Sequence, residues 1–180
     1  MPSSEVILGL GSNQSFRGKS SFTILEEALF ALEKILTGLR RSSFYETEAQ
    51  GVKDQGSFLN CAAIGFYSGR AGELLEEVHA IESFFGRNRA FERRWGERPL
   101  DIDILLFGDL VVCDPPFLLI PHPELKKRRF ALEPLLELSP DAKEPCTGIP
   151  YKSACDALPP QGVIRLANPA CYQQATEIRE

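Results

Sequence analysis

No apolar run in the chain approaches the ~18 residues that a membrane-spanning helix requires. There is one Trp, one Met and two His among 180 residues, and positive charge is in deficit, with a formal net charge of −5. Each shortage excludes something. An acidic chain is poorly suited to nucleic-acid backbones, so no nucleic-acid partner is expected. The five cysteines, Cys61, Cys113, Cys146, Cys155 and Cys171, contain no C-x-x-C pair. With only His79 and His122 to join them, a Cys/His zinc site is not expected, and reduced thiols in packing roles are. No G-x-S-x-G occurs, and the two histidines form no evident triad. Residues Met1–Glu5 are short and polar, without a basic stretch leading an apolar one, so a cytoplasmic protein with no membrane partner is expected.

What is present suits one globular domain. Val6–Leu10 reads as a buried strand entering a Gly11-Ser12-Asn13 loop. Apolar residues at helical spacing over about Ser20–Leu36 and over Ala71–Phe85 predict two amphipathic helices. Ser42–Thr47 and Phe58–Tyr67 read as strands flanking a polar loop. Leu100–Phe107 is strand-like, and the Gly108-Asp109 turn signal predicts a hairpin with Leu110–Cys113. A helix is expected over about Glu124–Leu138. Beyond Pro140 periodicity fades; the domain is expected over residues 1–166, with 167–180 as a tail. This order predicts an α+β, ferredoxin-like sandwich, with helices on one face of a mostly antiparallel sheet.

Nine of the twenty Lys and Arg fall in two stretches, Gly86–Arg98 and Lys126–Arg129. Two such runs near paired carboxylates point to a compact polyanion such as a nucleoside triphosphate. Between them lies Arg98-Pro-Leu-Asp101-Ile-Asp103. In a strand, residues i and i+2 share a face about 6.6 Å apart. Two carboxylates there repel each other, so their removal should not destabilise the protein, whereas Mg²⁺ ions would reconcile them. Trp95, in Arg93-Arg94-Trp95-Gly96, is suited to sealing a closed loop over a ligand. Gly11 to Ser20 resembles a phosphate-binding P-loop but has six residues between Gly11 and Gly18 where four are required. Gly9-x-Gly11 lacks the third glycine of a dinucleotide fingerprint, since Gln14 stands there. Taken singly, Phe58, Asn60, His122 and Phe130 are ordinary core or turn residues. A P-loop-like small-molecule kinase and a non-catalytic nucleotide-sensing module remain alternatives on the residues alone.

A set of motifs spans nearly the whole chain. They are Leu-Gly-Ser-Asn at 10–13, Ser-Ser-Phe-Tyr-Glu-Thr at 42–47, Phe-Leu-Asn at 58–60, Arg-Pro-Leu-Asp-Ile-Asp-Ile at 98–104, and Pro-His-Pro at 121–123 with Arg128 and Phe130. Together they resemble the 6-hydroxymethyl-7,8-dihydropterin pyrophosphokinase family of folate biosynthesis. The resemblance implies transfer of the β,γ-diphosphate of ATP, the co-substrate, to the pterin hydroxymethyl group, giving AMP. It implies that Asp101 and Asp103 hold two Mg²⁺ ions and act in catalysis with Arg87 and Arg98. It assigns nucleotide contacts to His79, Glu82, Arg87, Arg89, Trp95, Arg98, Ile104, His122 and Arg128. Pterin contacts fall to Thr47, Gly51, Phe58, Asn60, Trp95, Asp101 and Phe130. The partners implied are these two small molecules, with a monomer expected.

Overall fold

The computed structural model describes residues 3–47, 56–87 and 97–167. In chain order the elements are β1 (Ser4–Ser12), α1 (Ser21–Leu32), β2 (Thr37–Arg41), β3 (Tyr45–Thr47), β4 (Phe58–Tyr67) and α2 (Ala71–Phe84). There follow β5 (Asp101–Phe107), β6 (Val112–Asp114), β7 (Leu118–Ile120), a 3-10 turn (Leu125–Lys127), α3 (Arg129–Leu138), α4 (Tyr151–Ala157) and β8 (Ile164–Arg165). The main sheet runs β5-β1-β4-β3-β8, with β2 also on β4, and every pairing is antiparallel.

Strand β1 lies between β5 and β4 and explains the layering. Val6, Leu8 and Leu10 point into a core shared with Ile24, Leu25 and Leu32 of α1 and Leu74 and Val78 of α2. Ile7 points the other way, into a second cluster with Leu132 and Leu135 of α3 and Tyr151 and Cys155 of α4. Helices therefore cover both faces, not one as the element order suggests. The second layer is built by α3 and α4, and α4 lies in the Pro-rich region where periodicity gives no signal.

Three further local readings change. The first helix ends at Leu32, and the following residues turn into β2. Val112–Asp114 pairs with Leu118–Ile120 rather than with β5, so the predicted hairpin belongs one step later. The helix expected over Glu124–Leu138 is broken at Arg128, whose backbone is extended (φ −115°, ψ 98°). Among the described residues no helix is long and apolar enough to cross a membrane.

Helix α2 closes with a device that bears on function. Its end is a Schellman motif: the Arg87 N–H donates to the Glu82 carbonyl and the Gly86 N–H to that of Ser83. Gly86 sits at φ +88°, and a Cβ there would collide with the Phe16 ring, so only glycine serves. The turn delivers Arg87 next to the Glu82 side chain.

Candidate active site

Where the second face of the sheet is not covered by α3, a cavity of about 290 Å³ opens. Its floor follows from strand register. Gly11 of β1 pairs with Asp101 of β5 on one side and Asn60 of β4 on the other, and Gly9 pairs with Asp103 and Ala62. Neighbouring strands lie about 4.8 Å apart, so a carboxylate and an amide face each other across a strip without side chains. A Cβ on Gly11 would come within 3.0 Å of Asn60 Oδ1. Phe58 and Thr47 border the strip on the β4 side, Arg98 and His122 on the β5 side, and Arg128, Phe130 and Lys127 lie above it. Asn60 Nδ2 donates to Thr47 Oγ1 (2.9 Å), which turns the amide oxygen toward Gly11.

The two aspartates differ sharply in surroundings. Asp101 accepts from Arg98 Nη1 (2.7 Å) and from Arg87. Burial opposes its charge, but the two guanidinium groups hold its carboxyl below the usual carboxylate range. Asp103 accepts no direct hydrogen bond from the described residues; His122 Nε2 and Arg128 Nη1 each stand 3.7 Å from it. Burial, then the charge of Asp101, pushes the Asp103 carboxyl upward. The expectation that neither aspartate supports stability is corrected for Asp101, because its like-charge neighbour is outweighed by two arginines.

His122 sits beside β5, its N–H donating to the Leu105 carbonyl (3.0 Å). Its Nδ1 accepts from the Glu124 N–H (3.2 Å), so in the neutral ring the proton is on Nε2, facing Asp103. Burial lowers its pKa despite the pull of Asp103, which favours that neutral form. Arg128 stands 5.9 Å from the centre of the Phe130 ring, linking the cationic and aromatic parts of the cavity.

Most of the predicted site residues converge here, but not all line the cavity. Glu82 is fully buried behind β5, where one carboxylate oxygen takes the Ile102 N–H (2.7 Å) and pairs with Arg87. It positions Arg87 and the start of β5 from beneath. Ile104 packs into the α1/α2 core, so any nucleotide contact there falls to its backbone. His79 lies on α2, its carbonyl accepting from Ser83 Oγ (2.8 Å). Gly51, Arg89, Arg93, Arg94 and Trp95 lie outside the described residues. Asn13, part of the quoted Leu-Gly-Ser-Asn motif but assigned no role from sequence, grips both backbone groups of Arg98: Oδ1 accepts its N–H (2.8 Å) and the Asn13 N–H donates to its carbonyl (3.1 Å). No local periodicity signals that contact, which spans 85 residues.

The P-loop reading fails on geometry. Arg17 and Gly18 both have positive φ and form a two-residue turn, with Phe16 and Lys19 exchanging backbone hydrogen bonds. Lys19 pairs with Glu27 of α1 (2.6 Å), away from any phosphate cradle.

The chain resembles known proteins over most of its length. Residues 7–140 match the family described as 7,8-dihydro-6-hydroxymethylpterin-pyrophosphokinase. The 2-amino-4-hydroxy-6-hydroxymethyldihydropteridine pyrophosphokinase of Aquifex aeolicus is 39% identical over 147 residues, 82% of this chain and 88% of that protein. The enzyme of the same name from Bacillus subtilis is 38% identical over 142 residues, 78% of this chain and 81% of its own. A crystal structure of wild-type Plasmodium falciparum HPPK-DHPS shares the fold, with a TM-score of 0.65 at 15% identity over 86% of this chain and 44% of that one. A chain so matched belongs to the 7,8-dihydro-6-hydroxymethylpterin-pyrophosphokinase family and is an ATP-dependent enzyme of folate synthesis with a ferredoxin-like α+β fold.

Proposed function

We propose that the cavity aligns ATP and 6-hydroxymethyl-7,8-dihydropterin so that the hydroxymethyl oxygen attacks the β-phosphorus. The new O–P bond forms as the bond from the β-phosphorus to the α–β bridging oxygen breaks. The hydroxyl proton passes to water, AMP leaves with the bridging oxygen, and the pterin keeps the β,γ-diphosphate. The observation that carries this reading is the row Asp101–Gly11–Asn60, an anionic site with arginines on one side and an amide-and-aromatic slot on the other.

On the pterin side, Phe58 and Phe130 offer faces for a flat ring, and the Asn60 oxygen accepts from its N–H edge. Thr47 holds that amide in orientation. On the nucleotide side, Arg98, Arg128, Lys127 and the His122 Nε2–H supply donors for phosphate oxygens. Arg87, held by Glu82, keeps Asp101 ionised. Phosphoryl-type transfer asks mainly for positioning and charge neutralisation, which these groups provide without a protein nucleophile.

The donor set also suits Mg²⁺. Asp101 and Asp103 would hold two ions, and among the described residues no third carboxylate, His or Cys joins them as a cluster. Phosphate oxygens and water complete such a shell. When bound, Mg²⁺ neutralises triphosphate charge and polarises the phosphorus under attack. With two diffusible substrates, a cytoplasmic monomer over residues 1–166 suffices for the reaction. The test is chromatography of a turnover mixture of ATP, Mg²⁺ and the pterin alcohol. AMP should form one-for-one with the pterin diphosphate, and stoichiometric ADP would sink the reading.

A further inference from the structure

The family match ends at residue 140, yet the chain beyond it reaches back to the site. Arg128, whose guanidinium faces Asp103, is also the N-cap residue of α3. An N-cap side chain ordinarily satisfies the first backbone N–H groups of its helix. Arg128 makes no such bond: a guanidinium has no acceptor for a backbone N–H, and this one is turned toward the cavity. The missing cap comes from a residue 32 positions after Arg129. Gln161 Oε1 accepts the Arg129 N–H (2.8 Å), and Gln161 Nε2 donates to the Lys127 carbonyl (3.1 Å). One amide therefore grips the backbone on both sides of Arg128.

The segment bearing Gln161 is itself anchored at each end. Before it, the Arg129 guanidinium donates to the carbonyls of Leu158 (3.0 Å) and Cys155 (3.3 Å) at the end of α4. After it, β8 pairs with β3, and the Leu166 N–H donates to the Phe44 carbonyl (2.9 Å). Arg128 and Arg129 thus divide the work, one facing the cavity and one fastening the C-terminal segment.

We propose that Gln161 is a positioning residue for the phosphate subsite, acting through Arg128. This rests on the reading that Arg128 binds phosphate. Holding the carbonyl before Arg128 and the N–H after it fixes the extended backbone that aims the guanidinium between Asp103 and Phe130. Without the amide the turn regains freedom, and ATP binding must order it again.

The test is a double-mutant cycle in the full chain, with initial rates against ATP at saturating pterin alcohol and Mg²⁺. Gln161→Met keeps the side chain's reach but removes both hydrogen bonds, and Gln161→Ala removes the side chain. Each should lower kcat/KM for ATP about fivefold, mainly through KM, while Arg128→Ala lowers it by about fiftyfold or more. The double variant Arg128→Ala/Gln161→Met should fall no further than Arg128→Ala alone. An impaired Arg128→Ala with a Gln161→Met enzyme matching wild type would overturn the inference, as would losses that multiply in the double variant. A silent Arg128→Ala would instead overturn the phosphate reading of Arg128, and the inference with it.

Discussion

The two faces of the central sheet use the same three strands for opposite purposes. Toward α1 and α2, Val6, Leu8, Leu10, Leu59, Ile102 and Ile104 form a dry core. Toward α3, the residues between them are Gly9, Gly11, Phe58, Asn60, Asp101 and Asp103, which border a cavity. Side chains alternate along a strand, so each backbone position that anchors the core holds a site residue rigidly on its other side. A bulge sharpens the division. Between the pairs Leu8↔Ile104 and Ile7↔Leu106, β5 carries one extra residue, so Leu105 and Leu106 both join the α3-side cluster where the cavity ends.

The contrast can be broken from the site face first. Asp101→Ala and Asp103→Ala should each lower kcat by about 10³ or more in steady-state assays, since on the proposed reading each would remove a ligand for Mg²⁺ that offsets transition-state charge. The pair should then separate on stability. Asp101→Ala leaves Arg87 and Arg98 without their shared carboxylate and should cost about 3 kcal/mol in chemical denaturation. Asp103 is different, because its carboxyl is raised by burial and by Asp101. A raised native pKa means the wild type loses stability as pH climbs through that value. Asp103→Asn escapes this loss, so its melting temperature should match wild type in acid and exceed it toward neutral pH. A melting temperature below wild type at pH 7 would contradict the assignment.

On the core face, Ile102→Ala should cost about 2–4 kcal/mol of stability through lost burial and a cavity. The folded fraction should retain kcat within about threefold, as measured by active-site-normalised assays. A large kcat loss would mean that the two faces are not independent.

Gly11→Ala tests the floor between them. Its Cβ would press on Asn60 Oδ1 at 3.0 Å, narrowing the slot. KM for the pterin should rise about tenfold, with KM for ATP little changed, which is the scale of one misplaced methyl in a pocket. The smallest effect belongs to Lys19→Ala. An exposed pair with Glu27 is worth under about 1 kcal/mol, and KM for ATP should stay within about threefold, where a P-loop lysine would show a collapse.

Much of the site was legible because its chemistry is local in sequence. Arg98, Asp101 and Asp103 lie within six residues, and alternation alone aims both carboxylates at one face. Spacing likewise counts against a P-loop without excluding a P-loop-like kinase, and the tight turn at Arg17–Gly18 gives the physical reason it fails. Regions lacking a strong apolar period were read less well. β2 and β8 are short and exposed, and α4 follows a Pro-rich stretch.

From sequence alone came the strands and helices with clear periodicity, the paired carboxylates, the arginine-rich segments and the family resemblance, all of them properties of neighbours along the chain. Only the tertiary structure decided that helices cover both faces and that Asp101 is held by two arginines while Asp103 is not. The same holds for Asn13 gripping Arg98 and Gln161 gripping the backbone around Arg128. Those contacts join residues from 3 to 85 positions apart, and most depend on strand order and helix packing, which the periodicity of a single segment cannot encode.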